Sequence, residues 1–124
     1  MSNYGLKVMV VDDSSTVRKT AELILKKENY EVVGIEDGFD ALVNVSRIKP
    51  DIIFMDVMMP NLDGYDTCQI LKSSPHDVAK IPIIMLTSKD GAFDKARGDL
   101  AGCDDFITKP FTRDEIVNAI ERHS

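Results

Sequence analysis

Polar residues that can do chemistry stand at the ends of four short, mostly apolar runs of the sequence. In chain order they are Asp12 with Asp13, Asp56, Thr87 and Lys109. One aspartate after such a run would ordinarily be interpreted as the cap of the next helix. Carboxylates, a hydroxyl group and an ammonium group that meet at one place can instead bind a cation and take part in group transfer. The combination therefore favours a functional site over helix capping alone.

The charges of this set indicate a metal ion. Two unit charges ~4 Å apart repel by about 4 kcal/mol at an effective dielectric constant near 20, and here three carboxylates are expected together. Lys109 supplies only one positive charge, so a further cation is needed. Oxygen ligands without an imidazole or free thiolate nearby in sequence indicate a hard cation. We predict Mg²⁺ rather than Ca²⁺, because a few carboxylates leave positions for water and a phosphate.

The same set indicates which carboxylate reacts. A carboxylate beside Mg²⁺ and a lysine can accept a phosphoryl group and become an aspartyl phosphate. Asp12 and Asp13 are adjacent, and at least one of them must serve the metal, whereas Asp56 stands alone after its run. We therefore predict that Asp56 is the nucleophile.

Hydrophobic periodicity shows the elements that must bring these residues together. Five segments have the length and composition of strands. They are Leu6–Val11, Glu31–Ile35, Asp51–Met55, Pro82–Leu86 and Asp105–Ile107. Amphipathic stretches with helical spacing lie between them, and Thr112 with Glu115 predicts a capping box at the start of the last helix. The alternation predicts five βα units.

This order of elements predicts the fold. Strands that are apolar on both faces need helices on both sides of the sheet. We expect a flavodoxin-like α/β fold, a doubly wound (βα)5 sandwich whose parallel five-stranded sheet has the order 2-1-3-4-5. In such a sheet the site lies beyond the carboxyl ends of strands 1 and 3.

Length and composition limit the remaining possibilities. The 124 residues suit one domain, residues 1–124, and the net charge of −6 argues against nucleic acid as a direct partner. No apolar run has membrane-spanning length and the first residues do not resemble a signal peptide, so we expect a cytoplasmic protein without a membrane partner. Cys68 and Cys103 form no metal-ligand cluster and are interpreted as core thiols.

Four motifs resemble the receiver domains of two-component response regulators, in the family's order and at its spacing. They are residues 10–14 (VVDDS), 54–64 (FMDVMMPNLDG), 85–88 (MLTS) and 106–111 (FITKPF). The resemblance covers nearly the whole chain. It implies a signalling protein rather than an enzyme: a sensor histidine kinase donates a phosphoryl group to Asp56 in a step that needs Mg²⁺, and an effector protein then binds.

The resemblance also implies a set of ligands. Asp13, Asp56 and the backbone carbonyl of Met58 match the family's metal ligands, with Asp12 acting largely through water. Lys109 matches the lysine that contacts the phosphoryl group, and its bond to the proline that follows is expected to be cis.

A conformational switch is implied as well. Thr87 matches the switch hydroxyl, which moves toward the phosphoryl group, and Phe106 matches the switch aromatic, which turns inward. The two alter the face made by the family's fourth helix, fifth strand and fifth helix, which effectors contact. Many relatives carry tyrosine where this chain has Phe106, and an ordinary core position is the alternative for this residue.

Finer resemblances concern pathway and phosphoryl lifetime. Residues 5–10 (GLKVMV), 37–42 (DGFDAL), 64–68 (GYDTC) and 88–95 (SKDGAFDK) are similar to stand-alone, chemotaxis-type regulators of type IV pilus twitching motility. This similarity implies a chemotaxis-type kinase and pilus machinery as partners, with the chain a monomer or a weak phosphorylation-dependent dimer. Met58 and Lys89 match positions that flank the hydrolytic water, although both are interpreted equally well as ordinary exposed side chains.

Three other classes are weighed against this interpretation. A small Mg²⁺-dependent phosphatase of the haloacid-dehalogenase type would want a second acid two residues after Asp56, where Met58 stands. A flavin carrier would need a phosphate-binding loop after the first strand, where Asp12 and Asp13 would repel the ligand. A receiver that belongs to a longer DNA-binding regulator stays open, although an end directly after the last helix favours a natural stop.

Overall fold

The computed structural model of the protein describes residues 5–88 and 95–124. Within these ranges the chain forms five strands and six helices. The strands are β1 (Lys7–Val11), β2 (Glu31–Ile35), β3 (Ile52–Asp56), β4 (Ile83–Ser88) and β5 (Asp105–Lys109). The helices are α1 (Ser15–Lys27), α2 (Gly38–Ile48), α3 (Gly64–Lys72), α4 (His76–Ala79), α5 (Lys95–Ala101) and α6 (Arg113–His123).

The strands form one parallel sheet in the order β2-β1-β3-β4-β5. The flavodoxin-like doubly wound fold predicted from the sequence is thereby confirmed. Because β1 and β3 are neighbours in the middle of the sheet and their connections leave in opposite directions, the strand order reverses between them. This reversal opens a crevice at their carboxyl ends.

Alternate side chains of the central strands fill two separate cores. On one side Ile53 and Met55 of β3 pack in the layer that includes residues of α2, α3 and α5. On the other side Ile52 and Phe54 pack with residues of α1 and α6. All four are at most 1% exposed, and fully burying an apolar side chain of this size stabilises the fold by about 1.5–3 kcal/mol. Because these side chains anchor β3 in both cores, they also fix the position of Asp56, the last residue of β3.

Both cysteines are free thiols that belong to the first of these cores, as predicted. Cys68 is buried on α3 and Cys103 is half-buried and packs against the same cluster. Burial raises the pKa of Cys68 to about 12, so this thiol stays protonated. Both therefore act as small apolar groups.

Polar side chains cap the starts of four helices. The side chains of Ser14, Asp37 and Asp63 each accept a backbone hydrogen bond at the start of α1, α2 and α3. Thr112 and Glu115 form the predicted capping box at the start of α6. These caps fix the points at which the chain leaves the carboxyl ends of the strands.

The structure differs from the sequence prediction at several element bounds. The strands β3, β4 and β5 run on to Asp56, Ser88 and Lys109, so the polar residues at their ends are paired rather than in loops. The four-residue helix α4 was not predicted, because so short a segment shows no helical periodicity. As a result, the family's fourth and fifth helices correspond here to α5 and α6.

None of the helices formed by residues 5–88 and 95–124 has the length and apolar character that crossing a bilayer requires.

Candidate functional site

Three carboxylates meet at the crevice between β1 and β3. One oxygen each from Asp12, Asp13 and Asp56 lies within 4.8 Å of the other two. Asp56 ends β3, and Asp12 follows the last residue of β1, which is paired with Met55. The paired ends of two neighbouring strands thus bring together the three acids that the sequence singled out.

Asp12 is fully buried and held on every side. Its backbone N–H donates to the carbonyl of Ile35 at 3.1 Å, which extends the β1–β2 pairing by one residue. Its Oδ1 accepts the N–H of Ser14 at 2.8 Å, and its Oδ2 accepts a hydrogen bond from Lys109 Nζ at 3.1 Å. A buried carboxylate needs such partners because desolvation without them costs several kcal/mol.

Lys109 reaches into the site from the end of β5. Its Nζ lies 3.0 Å from Asp56 Oδ1 as well as 3.1 Å from Asp12 Oδ2. Burial alone would lower the pKa of Lys109, but the hydrogen bonds and charges of the two aspartates outweigh it and raise the pKa. The side chain is therefore a fixed ammonium ion. The peptide bond from Lys109 to Pro110 is cis, as expected.

Asp56 has an unusual pKa. Burial, followed by the negative charge of Asp12, raises the pKa of this carboxyl from 3.8 to about 6. The hydrogen bond and charge of Lys109 and the Met58 N–H, 3.4 Å from Asp56 Oδ1, oppose the rise without cancelling it. Lys109 therefore offsets only part of the cost of ionising this buried carboxyl beside Asp12.

The donors present suit a hard divalent cation. The three clustered ligand groups are all carboxylates, and one of them, Asp13, is exposed at the mouth of the site. Oxygen-only ligands with room for water are what Mg²⁺ prefers. Met58, whose carbonyl was predicted as a further ligand, lies two residues after Asp56 in the loop that follows β3 and exposes 66% of its surface. The role of that carbonyl stays a prediction.

The predicted switch residues lie on neighbouring strands. Thr87 on β4 is 4% exposed, and its hydroxyl donates to the carbonyl of Ile107 at 3.4 Å, near the upper limit for a hydrogen bond. Phe106 on β5 is 44% exposed, so its interpretation as an ordinary core residue is wrong. Lys89, predicted to flank the hydrolytic water, lies outside the described residues.

Two residues of the site were missed by sequence reasoning. Gly64 begins α3 directly behind Asp56, where a Cβ atom would stand 2.3 Å from the carbonyl oxygen of Asp56. Arg18 on α1 donates from Nη1 to the carbonyl of Asp12. The signal for Gly64 was its place after the turn residues 61–63. For Arg18 it was the glycine at position 34, in the middle of a strand.

Comparisons with known proteins point to one family. The family model of the response regulator receiver domain matches residues 8–121 of this chain. Protein PilG of Pseudomonas aeruginosa is 52% identical over 119 residues, which are 96% of this chain and 87% of that protein. The alkaline phosphatase synthesis transcriptional regulatory protein PhoP of Bacillus subtilis is 40% identical over 121 residues, 95% of this chain but only 49% of that protein.

Among solved structures, the receiver domain of the sensor histidine kinase PA1611 from Pseudomonas aeruginosa has a TM-score of 0.86 and 29% identity. The match covers 96% of this chain and 97% of the solved chain, which has a magnesium ion coordinated in its active site cleft.

Proposed function

This chain belongs to the response regulator receiver domain family, and from that premise we propose that it accepts a phosphoryl group on Asp56 and signals by binding other proteins. The observation that carries the proposal is the convergence of Asp12, Asp13 and Asp56 with Lys109 at the carboxyl end of the sheet. In this proposal the chain is a single signalling domain, residues 1–124, that works in the cytoplasm and has no substrate of its own.

The acceptor step needs an ionised Asp56. One carboxylate oxygen attacks the phosphorus of a phosphohistidine on the kinase, and a P–O bond forms while the P–N bond breaks. The imidazole nitrogen leaves with the bonding electrons. With a pKa of about 6, Asp56 is mostly ionised at pH 7, so the nucleophile is available at cellular pH.

Asp13, Asp56 and the backbone carbonyl of Met58 would hold Mg²⁺, with Asp12 acting largely through water. When bound, the ion supplies positive charge against the incoming phosphoryl oxygens and the crowded carboxylates. The coordinated magnesium in the cleft of the PA1611 receiver, at 29% identity, supports this assignment. Lys109 is already 3.0 Å from Asp56 Oδ1 and can donate to a phosphoryl oxygen after the transfer.

Transmission of the signal is proposed to begin at Thr87. Its 3.4 Å bond to the Ile107 carbonyl is weak, and a phosphoryl oxygen on Asp56 is a stronger acceptor. Moving a two-state equilibrium from 1:99 to 99:1 requires about 5.5 kcal/mol. A few charge-assisted hydrogen bonds at about 1.5–3 kcal/mol each can supply that amount. Phe106 then turns inward and changes the face made by α5, β5 and α6, which an effector contacts.

The pathway follows from the finer resemblance. A chemotaxis-type histidine kinase is the proposed donor, and machinery of type IV pilus twitching motility is the proposed effector. The 52% identity to Protein PilG supports this choice over a DNA-binding regulator. The transcriptional regulatory protein PhoP is only 40% identical, and the matched segment covers 49% of its length. The chain would act as a monomer or as a weak dimer that forms on phosphorylation.

The Met58 side chain is proposed to lengthen the life of the phosphorylated state. It is 66% exposed and lies two residues after Asp56, so it can shield the acyl phosphate from water. Substitution Met58→Asn should speed the decay of phosphoprotein after the donor is removed. An unchanged decay rate would contradict this role and leave the acceptor role untouched.

The acceptor chemistry is tested with a small donor. The protein is incubated with acetyl phosphate in Mg²⁺ or in EDTA, and phosphoprotein is followed by intact mass. Wild type and an Asp99→Asn control, altered at an exposed residue of α5, should gain one phosphoryl group only with Mg²⁺. Asp56→Asn should gain none. No adduct on folded wild-type protein would overturn the proposal for small donors.

A further inference from the structure

Arg18 holds the peptide that joins two of the acidic residues. The side chain is half-buried one turn into α1, and its Nη1 donates to the backbone carbonyl of Asp12. That carbonyl belongs to the peptide linking Asp12 to Asp13. A carbonyl at a buried strand end needs a donor, and a guanidinium group gives a charge-assisted bond. The orientation of this peptide therefore depends on Arg18.

Asp13 has more need of this support than the other two acids. The carboxylate of Asp12 is held by Ser14 and Lys109, and that of Asp56 by Lys109 and the Met58 N–H. Across residues 5–88 and 95–124, no hydrogen bond or ion pair from a described partner holds the exposed Asp13 carboxylate. Its place beside Asp56 is thus set by the backbone that carries it.

Gly34 lies beside the stem of Arg18. It lies in β2 opposite Val10 of β1, and a Cβ atom added there would stand 3.4 Å from Cδ of Arg18. Glycine weakens a strand and often marks a place where another group approaches closely. The rest of β2 is Glu31, Val32, Val33 and Ile35, so the glycine is an exception in its own strand. An alanine Cβ atom at this position would be in ordinary contact with the Arg18 stem, whereas a larger, branched side chain would compete with the stem for the same space.

We infer that Arg18 is a positioning residue of the metal site. It fixes the peptide between Asp12 and Asp13 so that the Asp13 carboxylate faces Asp56, and Gly34 provides the surface on which its side chain rests. The inference depends on the proposed function, because it concerns how the same acids bind Mg²⁺. Arg18 acts through the backbone and is not itself a ligand.

The test measures Mg²⁺ affinity by isothermal titration calorimetry on the unphosphorylated protein. Two substitutions disturb the contact between Arg18 and the Asp12 carbonyl in different ways. Arg18→Gln removes the guanidinium group, and Gly34→Val crowds the stem of Arg18 while every charge is kept. Arg18→Lys keeps the positive charge but lacks the planar guanidinium group. Gly34→Ala adds a single Cβ atom in ordinary contact with Cδ of Arg18. Lys19→Gln is the matched control, since it removes a positive charge from the next residue of α1, which is exposed.

Loss of a group that orients a metal ligand typically weakens metal binding 10–100-fold. We expect about a 10-fold weaker Mg²⁺ affinity for Arg18→Gln and Gly34→Val, an intermediate value for Arg18→Lys, and less than about a 2-fold change for Gly34→Ala and Lys19→Gln. The rate of phosphorylation by acetyl phosphate should recover when Mg²⁺ is raised to saturation. Such a recovery shows a defect in metal binding rather than in folding.

Two results would overturn the inference. One is a Mg²⁺ affinity of Arg18→Gln equal to that of Lys19→Gln. Arg18 would then affect the site only through its positive charge and not through its hydrogen bond to the Asp12 carbonyl. The other is a rate that stays low at saturating Mg²⁺ together with a loss of helical circular dichroism, which would make Arg18 a purely structural residue. Failure of the proposed function looks different, because wild type itself would then neither bind Mg²⁺ nor take up phosphate.

Discussion

Removing the charge of Asp56 should stabilise the metal-free protein at neutral pH. The pKa of Asp56 rises from 3.8 to about 6 in the fold, because burial and Asp12 disfavour the ionised form. The folded state therefore binds this proton more tightly than the unfolded state does. It follows that the free energy of unfolding falls as the pH rises from about 4 to about 6, and stays lowered above that range.

The size of the effect follows from the same values. A rise from 3.8 to about 6, at about 1.4 kcal/mol per pKa unit, corresponds to at most about 3 kcal/mol. Solvent screening and relaxation of Lys109 reduce this, so we expect Asp56→Asn to gain about 1–2 kcal/mol at pH 7.5. The amide can still accept the hydrogen bond from Lys109, which keeps the perturbation close to a loss of charge.

Urea unfolding followed by circular dichroism measures the effect. Wild type and Asp56→Asn are compared in EDTA at pH 7.5 and pH 4, and again at pH 7.5 with Mg²⁺. The gain should appear at pH 7.5, nearly vanish at pH 4, and shrink with Mg²⁺ because only wild type then has its full set of ligands. A variant less stable than wild type at pH 7.5 in EDTA, or a gain that does not depend on pH, would refute the reasoning.

Three further substitutions test an ion pair, a close backbone contact and a helix cap. Lys109→Met leaves buried carboxylates without their cation and should destabilise the protein by about 3 kcal/mol in EDTA, an effect that Mg²⁺ partly reverses in the same urea titration. Gly64→Ala should cost about 1–3 kcal/mol because its Cβ atom would stand 2.3 Å from the carbonyl oxygen of Asp56, and an unchanged melting temperature would contradict that contact. Thr112→Ala removes the capping box of α6 and should cost about 1 kcal/mol, whereas Thr112→Ser should be close to wild type in thermal unfolding.

The sequence alone was sufficient to predict the parallel sheet and the proximity of Asp12, Asp13 and Asp56. Runs such as residues 52–55 are apolar on both faces, which requires a covered parallel sheet, and the carboxyl ends of neighbouring parallel strands must lie together. Asp56 was therefore placed beside Asp12 and Asp13 by topology alone. The caps at Ser14 and Thr112 follow from local chemistry and needed no tertiary information.

Other features depend on contacts that no local pattern encodes. The guanidinium group of Arg18 donates from α1 to the Asp12 carbonyl, and only the fold brings the stem of this side chain close to Gly34. The exposure of Phe106 depends on how the helices beside β5 pack. From the sequence alone, a phenylalanine in a strand is equally consistent with a buried core position. The helix α4 is too short for periodicity, and its ends are set by turns around Pro75 and Lys80.

The most direct test of the account locates the phosphoryl group. Protein phosphorylated with acetyl phosphate and Mg²⁺ is reduced with sodium borohydride, which converts an aspartyl phosphate to homoserine, and the peptides are sequenced by mass spectrometry. We predict homoserine at position 56 and aspartate at positions 12 and 13. Homoserine at either of those two positions, with Asp56 unmodified, would contradict the assignment of Asp56 as the phosphoacceptor.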